Sequence, residues 1–197
     1  MKKLNFIIKY GLALLLLSFY SCESWLNVTP SDRLSEEMLF NDREGFVKAL
    51  NGVYIELNTN ELYGRNLTAG ALDVMGQYYS VASSSHAFYN YGGLVYTGND
   101  EKALFDNMWQ KCYAVIACCN TIIEKCDENK AGLSPVWKGS IKGEALALRA
   151  MLHFDMLRLF GPLTSELDKE SIPYQTNSDQ TVTPLLSGSE VIGLILD

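Results

Sequence analysis

The chain has 197 residues, of which 48% are hydrophobic, 20% charged and 11% aromatic. That balance, with 15 glycines and 5 prolines, excludes a disordered, low-complexity or fibrous protein and leaves enough chain for one domain with a real core. A formal net charge of −7 with no basic stripe excludes nucleic acid as a partner, because neutralising phosphates needs clustered Lys and Arg.

The first segment reads as an export signal. Lys2 and Lys3 precede an apolar run, Phe6–Ile8 and then Leu12 to Phe19, that is too short to span a bilayer. It closes on Ser21-Cys22, a small residue directly before a cysteine, which resembles a lipobox. Residues 1–21 are therefore expected to be removed and Cys22 to be lipidated, anchoring residues 22–197 to a membrane without a spanning helix. The mature charge would then be −10, because Lys2, Lys3 and Lys9 leave with the signal and no acid does.

Four helices follow. Phe46, Leu50, Val53 and Leu57 repeat at helical spacing between about Asn41 and Asn58, with Asn41 and Glu44 placed as a capping box. From about Asp100 to Asp127, Phe105, Trp109, Cys112, Ile116, Cys119, Ile123 and Cys126 form an unbroken 4-3 stripe. A third helix opens at Ser134-Pro135 and stops at Gly161-Pro162. Its second half is apolar nearly all round apart from Arg149, His153, Asp155 and Arg158, so it belongs at the centre of the fold. A fourth starts at Ser187 with Glu190 as its capping partner and runs into Asp197, so the chain reads as a fragment truncated inside an element. Two stretches lack helical periodicity: the aromatic segment from Gly76 to Gly98, and the polar, turn-rich segment from Leu163 to Pro184. The fold class is all-α.

Little in the sequence points to catalysis. There is no phosphate-cradling glycine loop, no Gly-x-Ser-x-Gly and no His-Glu-x-x-His. His153 reads as a satisfied packing residue, Asp155 and Arg158 as an ordinary ion pair, and Glu124, Asp127 and Glu128 as a solvated helix end. Cys112, Cys119 and Cys126 are seven residues apart with no His beside them, a spacing for packing and not for a metal; they and Cys118 receive no further role. No cofactor is expected. The aromatic segment alone has the flavour of a binding site, since ring faces stack on sugar rings and amides hydrogen-bond hydroxyls. Packing onto the helices explains any single ring equally well. Tyr89 and Tyr91 are the preferred ligand contacts, because an extended backbone would put both rings on one side of Asn90; Phe88 and Asn90 complete the candidate set.

In order and spacing, several stretches resemble the SusD/RagB family of outer-membrane nutrient-binding lipoproteins. They are Cys22-Glu23-Ser24-Trp25-Leu26 leading to Pro30; Phe46 with Ala49-Leu50-Asn51-Gly52-Val53-Tyr54; Trp109, Tyr113, Ile116, Asn120 and Ile123; Gly143-Glu144-Ala145, Leu148-Arg149-Ala150, His153-Phe154 and Arg158 to Pro162; Ile172-Pro173-Tyr174; and Ser189 to Asp197. The resemblance implies tetratricopeptide-like helix pairs in a superhelical scaffold with long aromatic-rich loops. It also implies a non-enzymatic lipoprotein at the cell surface that captures a glycan or peptide and works with a TonB-dependent, SusC-like transporter. A lipid-anchored helical-repeat scaffold that binds only a protein partner is the alternative.

Overall fold

Two long antiparallel helices organise the computed structural model, which describes residues 36–179 and 181–197. In chain order the helices are α1 (Glu36–Leu39), α2 (Arg43–Leu57), α3 (Ala71–Met75), α4 (Tyr89–Gly92), α5 (Asn99–Glu128), α6 (Pro135–Phe160) and α7 (Gly188–Leu196). Two short strands, β1 (Glu170–Pro173) and β2 (Leu185–Ser187), pair antiparallel between α6 and α7, with Glu170 opposite Ser187 and Pro173 opposite Leu185. Residues Leu39–Asp197 form one compact unit. The signal segment and Cys22 lie outside the described residues. Among those described, no helix is long and apolar enough to cross a membrane.

The all-α expectation holds, and the caps show why the helices begin and end where they do. Ser134 accepts from the Trp137 amide with Pro135 at the first helical position. Ser187 and Glu190 form a complete capping box at α7. One cap differs: Asp42, not Asn41, opens α2, its Oδ1 accepting from the Gly45 amide at 2.9 Å. That register puts Glu44 one position too early to reach back. Between α5 and α6, Asn129 takes a left-handed conformation, its Oδ1 accepts from the Leu133 amide at 2.8 Å and its Nδ2 donates to the Leu133 carbonyl at 3.2 Å. Gly132 has φ +64° in the same turn, where a side chain would be strained.

α5 and α6 are antiparallel, as their partners show: Asp127 pairs with Lys142, Asn120 with Arg149, and Phe105 stacks edge-on to Phe160. Cys112, Ile116, Cys119, Ile123 and Cys126 are all buried in this seam, with Phe105 and Trp109 half-buried at its end. Burial pushes the Cys119 thiol up to about 12 and also raises Cys112, so these thiols stay protonated and serve packing. Cys118 faces outward on the same helix. α2 lies against both long helices. Its Tyr54 hydroxyl donates to Glu144 at 2.7 Å, and just beyond it Tyr63 donates to the buried Asp155, which also pairs with Arg158 at 3.3 Å.

The segment after β1 has no regular structure, yet its main chain is satisfied by side chains of the long helices. Asn120 is fully buried; its Nδ2 donates to the Gln175 and Asn177 carbonyls at 3.1 and 2.9 Å, and its Oδ1 accepts from Arg149 at 2.9 Å. Tyr113 donates to the Pro173 carbonyl at 2.8 Å. Glu124 accepts from both the Ser178 amide and hydroxyl, at 2.7 and 2.6 Å, so it anchors this segment instead of facing water.

His153 completes the seam. The Gln175 amide can only donate, at 3.0 Å, so Nε2 is the acceptor and Nδ1 carries the hydrogen that meets the Arg149 carbonyl at 2.9 Å. Burial of this neutral imidazole, stacked on Tyr174, lowers its pKa from the usual 6.5 to about 4. Above pH 6.5 the folded and unfolded chains are both neutral here; between 6.5 and 4 only the unfolded chain takes up the proton. Stability from this group is thus complete above that window and falls as pH drops through it, by on the order of 3 kcal/mol. Urea melts should show the gap between wild type and His153→Gln shrinking by that amount from pH 6.5 to 4; a gap independent of pH would refute the neutral, buried assignment. Trp109→Ala should cost about 3 kcal/mol, since the indole meets Phe160 edge-on at 5.0 Å and Tyr113 at 4.7 Å.

Candidate functional site

Between the end of α3 and the start of α5 the chain folds into a surface cavity of about 310 Å³. This is the lower end of the range for small-molecule sites, roughly 300–1,000 Å³. Its walls come from two strips, Gln77 with Tyr79, Ser80 and Val81, and Tyr89 and Asn90 with Gly92, Gly93 and Val95. None of these side chains is charged.

Local structure explains the shape. Gln77 turns the chain after α3 with φ +61°, and its Nε2 donates to the Gly92 carbonyl at 2.8 Å and to the Val74 carbonyl at 3.4 Å, tying the two strips together. Gly92 approaches Val74 so closely that an added Cβ would sit 3.3 Å from its methyl. The Tyr79 hydroxyl donates to the Ala69 carbonyl. Asn90 donates through Nδ2 to Glu101 Oε1 at 2.7 Å. That hydrogen bond and the amide at the start of α5 hold the Glu101 carboxyl below its usual pKa.

The structure separates the four residues nominated from the sequence. The backbone at Tyr89–Gly92 is one helical turn and not extended. At about 100° per residue, residues two apart then project to nearly opposite sides. Tyr89 is 42% exposed and lines the cavity, whereas Tyr91 is 2% exposed and packs inward. The Tyr91 ring meets Phe88 at 5.8 Å and Phe105 at 5.9 Å, both edge-on. Phe88 is half-buried, with the Arg65 guanidinium 5.7 Å from its ring centre. Asn90 reaches the cavity, so Tyr89 and Asn90 stay together at one site while Tyr91 and Phe88 support it from behind. Gln77 and Tyr79 were missed as a pair. Tyr79 was visible as one of a dense set of rings, but nothing local marks Gln77, whose place depends on a carbonyl 15 positions on. Among the described residues, no cluster of three or more His, Cys, Asp and Glu could hold a metal ion.

A family model described as "Starch-binding associating with outer membrane" matches residues 24–188. The chain belongs to the SusD-like family. Membership places it at the outer membrane, the location that the family's description carries. SusD-like protein P38 of Formosa agariphila is 27% identical over 193 residues, covering 89% of this chain and 32% of that protein. SusD-like protein P2 of the same organism is 25% identical over 166 residues, covering 82% and 30%. A solved SusD superfamily protein from Bacteroides thetaiotaomicron shares the fold with a TM-score of 0.60 at 20% identity, over 79% of this chain and 35% of its own. The chain thus spans about a third of the length of the curated relatives it matches.

The two tyrosines should separate cleanly in stability measurements. Tyr91→Ala empties a buried aromatic site and should cost about 3 kcal/mol, whereas Tyr89→Ala should stay within about 0.5 kcal/mol of wild type in urea melts. Equal costs would mean that Tyr89 is also a packing residue.

Proposed function

We propose that the chain is part of a lipid-anchored cell-surface protein that captures a nutrient, a glycan or a peptide, and presents it to a TonB-dependent, SusC-like transporter for import. It is read as a binding protein that performs no chemical step. The observation that carries the proposal is the family match over residues 24–188, on a chain with an aromatic-walled cavity in the segment singled out for binding.

The chemistry of the cavity supports a glycan first. Tyr79 and Tyr89 supply ring faces, and Gln77 and Asn90 supply amides beside them. Flat apolar faces next to fixed hydrogen-bonding groups suit a sugar ring, which is apolar on its faces and polar at its edge. A lipid on Cys22 would hold this cavity near the membrane without a spanning helix, and the charged start, short apolar run and Ser21-Cys22 junction support that anchor.

Affinity electrophoresis through gels containing soluble glycans tests the binding arm. Wild type should be retarded by at least one glycan, and the double variant Tyr79→Ala, Tyr89→Ala should bind it about tenfold more weakly with unchanged circular dichroism. A scaffold that binds only protein would run freely past every glycan. Cys22→Ala tests the anchor: the protein should move from the membrane to the soluble fraction, and retention would overturn lipidation at that residue.

A further inference from the structure

The polar groups around the cavity are not arranged at random. Gln77 faces two carbonyls, so its amide must present Nε2 to them, leaving Oε1 as the free acceptor. Tyr79 gives its hydroxyl hydrogen to the Ala69 carbonyl, leaving oxygen lone pairs. Asn90 faces a carboxylate, which only accepts, so Nδ2 must point to Glu101, leaving Oδ1 without a partner among the described residues. Three lining side chains, two on one strip and one on the other, have therefore each turned a donor inward and kept an acceptor. The side-chain donors that remain are the hydroxyls of Ser80 and Tyr89 and the second N–H of Asn90 Nδ2, and no lining residue carries a positive charge.

Glu101 is the element that makes this orientation obligatory at Asn90. It is 6% exposed, sits in the first turn of the 30-residue α5, and has no ion-pair partner among the described residues. The positive end of the helix favours its charge, and the Asn90 amide gives it a side-chain hydrogen bond. Room for it is made by Gly98, where an added Cβ would lie 1.9 Å from Glu101 Oε2.

We propose that Glu101 is a positioning residue: by holding Asn90 through its NH₂ it leaves an acceptor for the ligand, and together with Gln77 and Tyr79 it makes the cavity select uncharged, hydroxyl-rich ligands over carboxylated ones. The inference rests on the binding function proposed above and specifies its substrate class. A hydroxyl can donate to each of the three acceptors. A carboxylate can only accept, so it cannot use those three oxygens, and it would enter a net-acidic chain at a cavity whose lining residues include no cation.

The test is calorimetric titration of the full chain with neutral hexasaccharides (malto-, xylo- and manno-oligomers) and with hexa-oligomers of galacturonate and mannuronate. At least one neutral oligomer should bind about tenfold or more tightly than either uronate. In Glu101→Gln the new amide can donate to Asn90, which is then free to turn its NH₂ outward; neutral binding should weaken and the neutral-to-uronate ratio should fall towards one. Gly98→Ala, which displaces the carboxylate without removing it, should move the ratio the same way and guards against a folding defect peculiar to the first variant. Losses that weaken both ligand classes in proportion would make Glu101 merely structural and overturn the proposal. Equal binding of neutral and acidic oligomers by wild type would overturn it too, while leaving glycan capture standing. Wild type that binds none of the oligomers would remove the glycan function and this inference with it.

Discussion

The buried amide of Asn120 is the constraint on which the rest of this fold depends. It joins three pieces of chain that share no regular hydrogen-bonding pattern: α5, on which it sits, Arg149 of α6, and the irregular segment at Gln175 and Asn177. A buried carbonyl without a donor costs about 1–3 kcal/mol, so an unstructured segment can lie over two helices only if side chains supply what a strand partner would. Asn120 supplies two donors, Tyr113 a third, and His153 accepts from the amide between them. Tyr174, held in this way, donates in turn to the Leu194 carbonyl of α7 at 2.8 Å, so the last helix is docked through the same segment.

A run of aromatic rings connects that seam to the candidate site. From His153, rings follow at contact distance through Tyr113, Trp109 and Phe160 to Phe105, then Tyr91 and Phe88. Most of the aromatic richness near the cavity is therefore structural: the inner rings bind the segment to the groove between α5 and α6 and leave a few outer rings free. This answers how a long stretch with little regular structure stays ordered.

The polar side of the site follows the same logic of prior commitment. Groups that could have bound a ligand as donor or acceptor each commit a donor to the protein and keep an acceptor. Specificity of this kind needs no charged residue in the cavity. It needs a carboxylate one layer behind it, on the first turn of a long helix where its charge is tolerated.

Much of this was legible in the sequence. The 4-3 stripe of α5, the Ser134-Pro135 start of α6 and the Ser187–Glu190 capping box are local patterns, and local hydrogen bonding with helical periodicity determines helices whatever packs on them. The same stripe marked Cys112, Cys119 and Cys126 as packing residues, and the crowded second half of α6 marked that helix as central. What only the tertiary structure decided were features whose cause lies far away in the chain. Tyr89 and Tyr91 face apart because four residues close into a helical turn, against the extended alternation their spacing allowed. Glu124 looked like a solvated helix end, but a serine 54 positions later brings it a hydrogen-bonding partner. Gln77 joins the cavity through a carbonyl 15 positions on. Periodicity reports which face of an element is apolar; it carries no information about which distant donor will meet which acceptor, because that is set only when the elements pack.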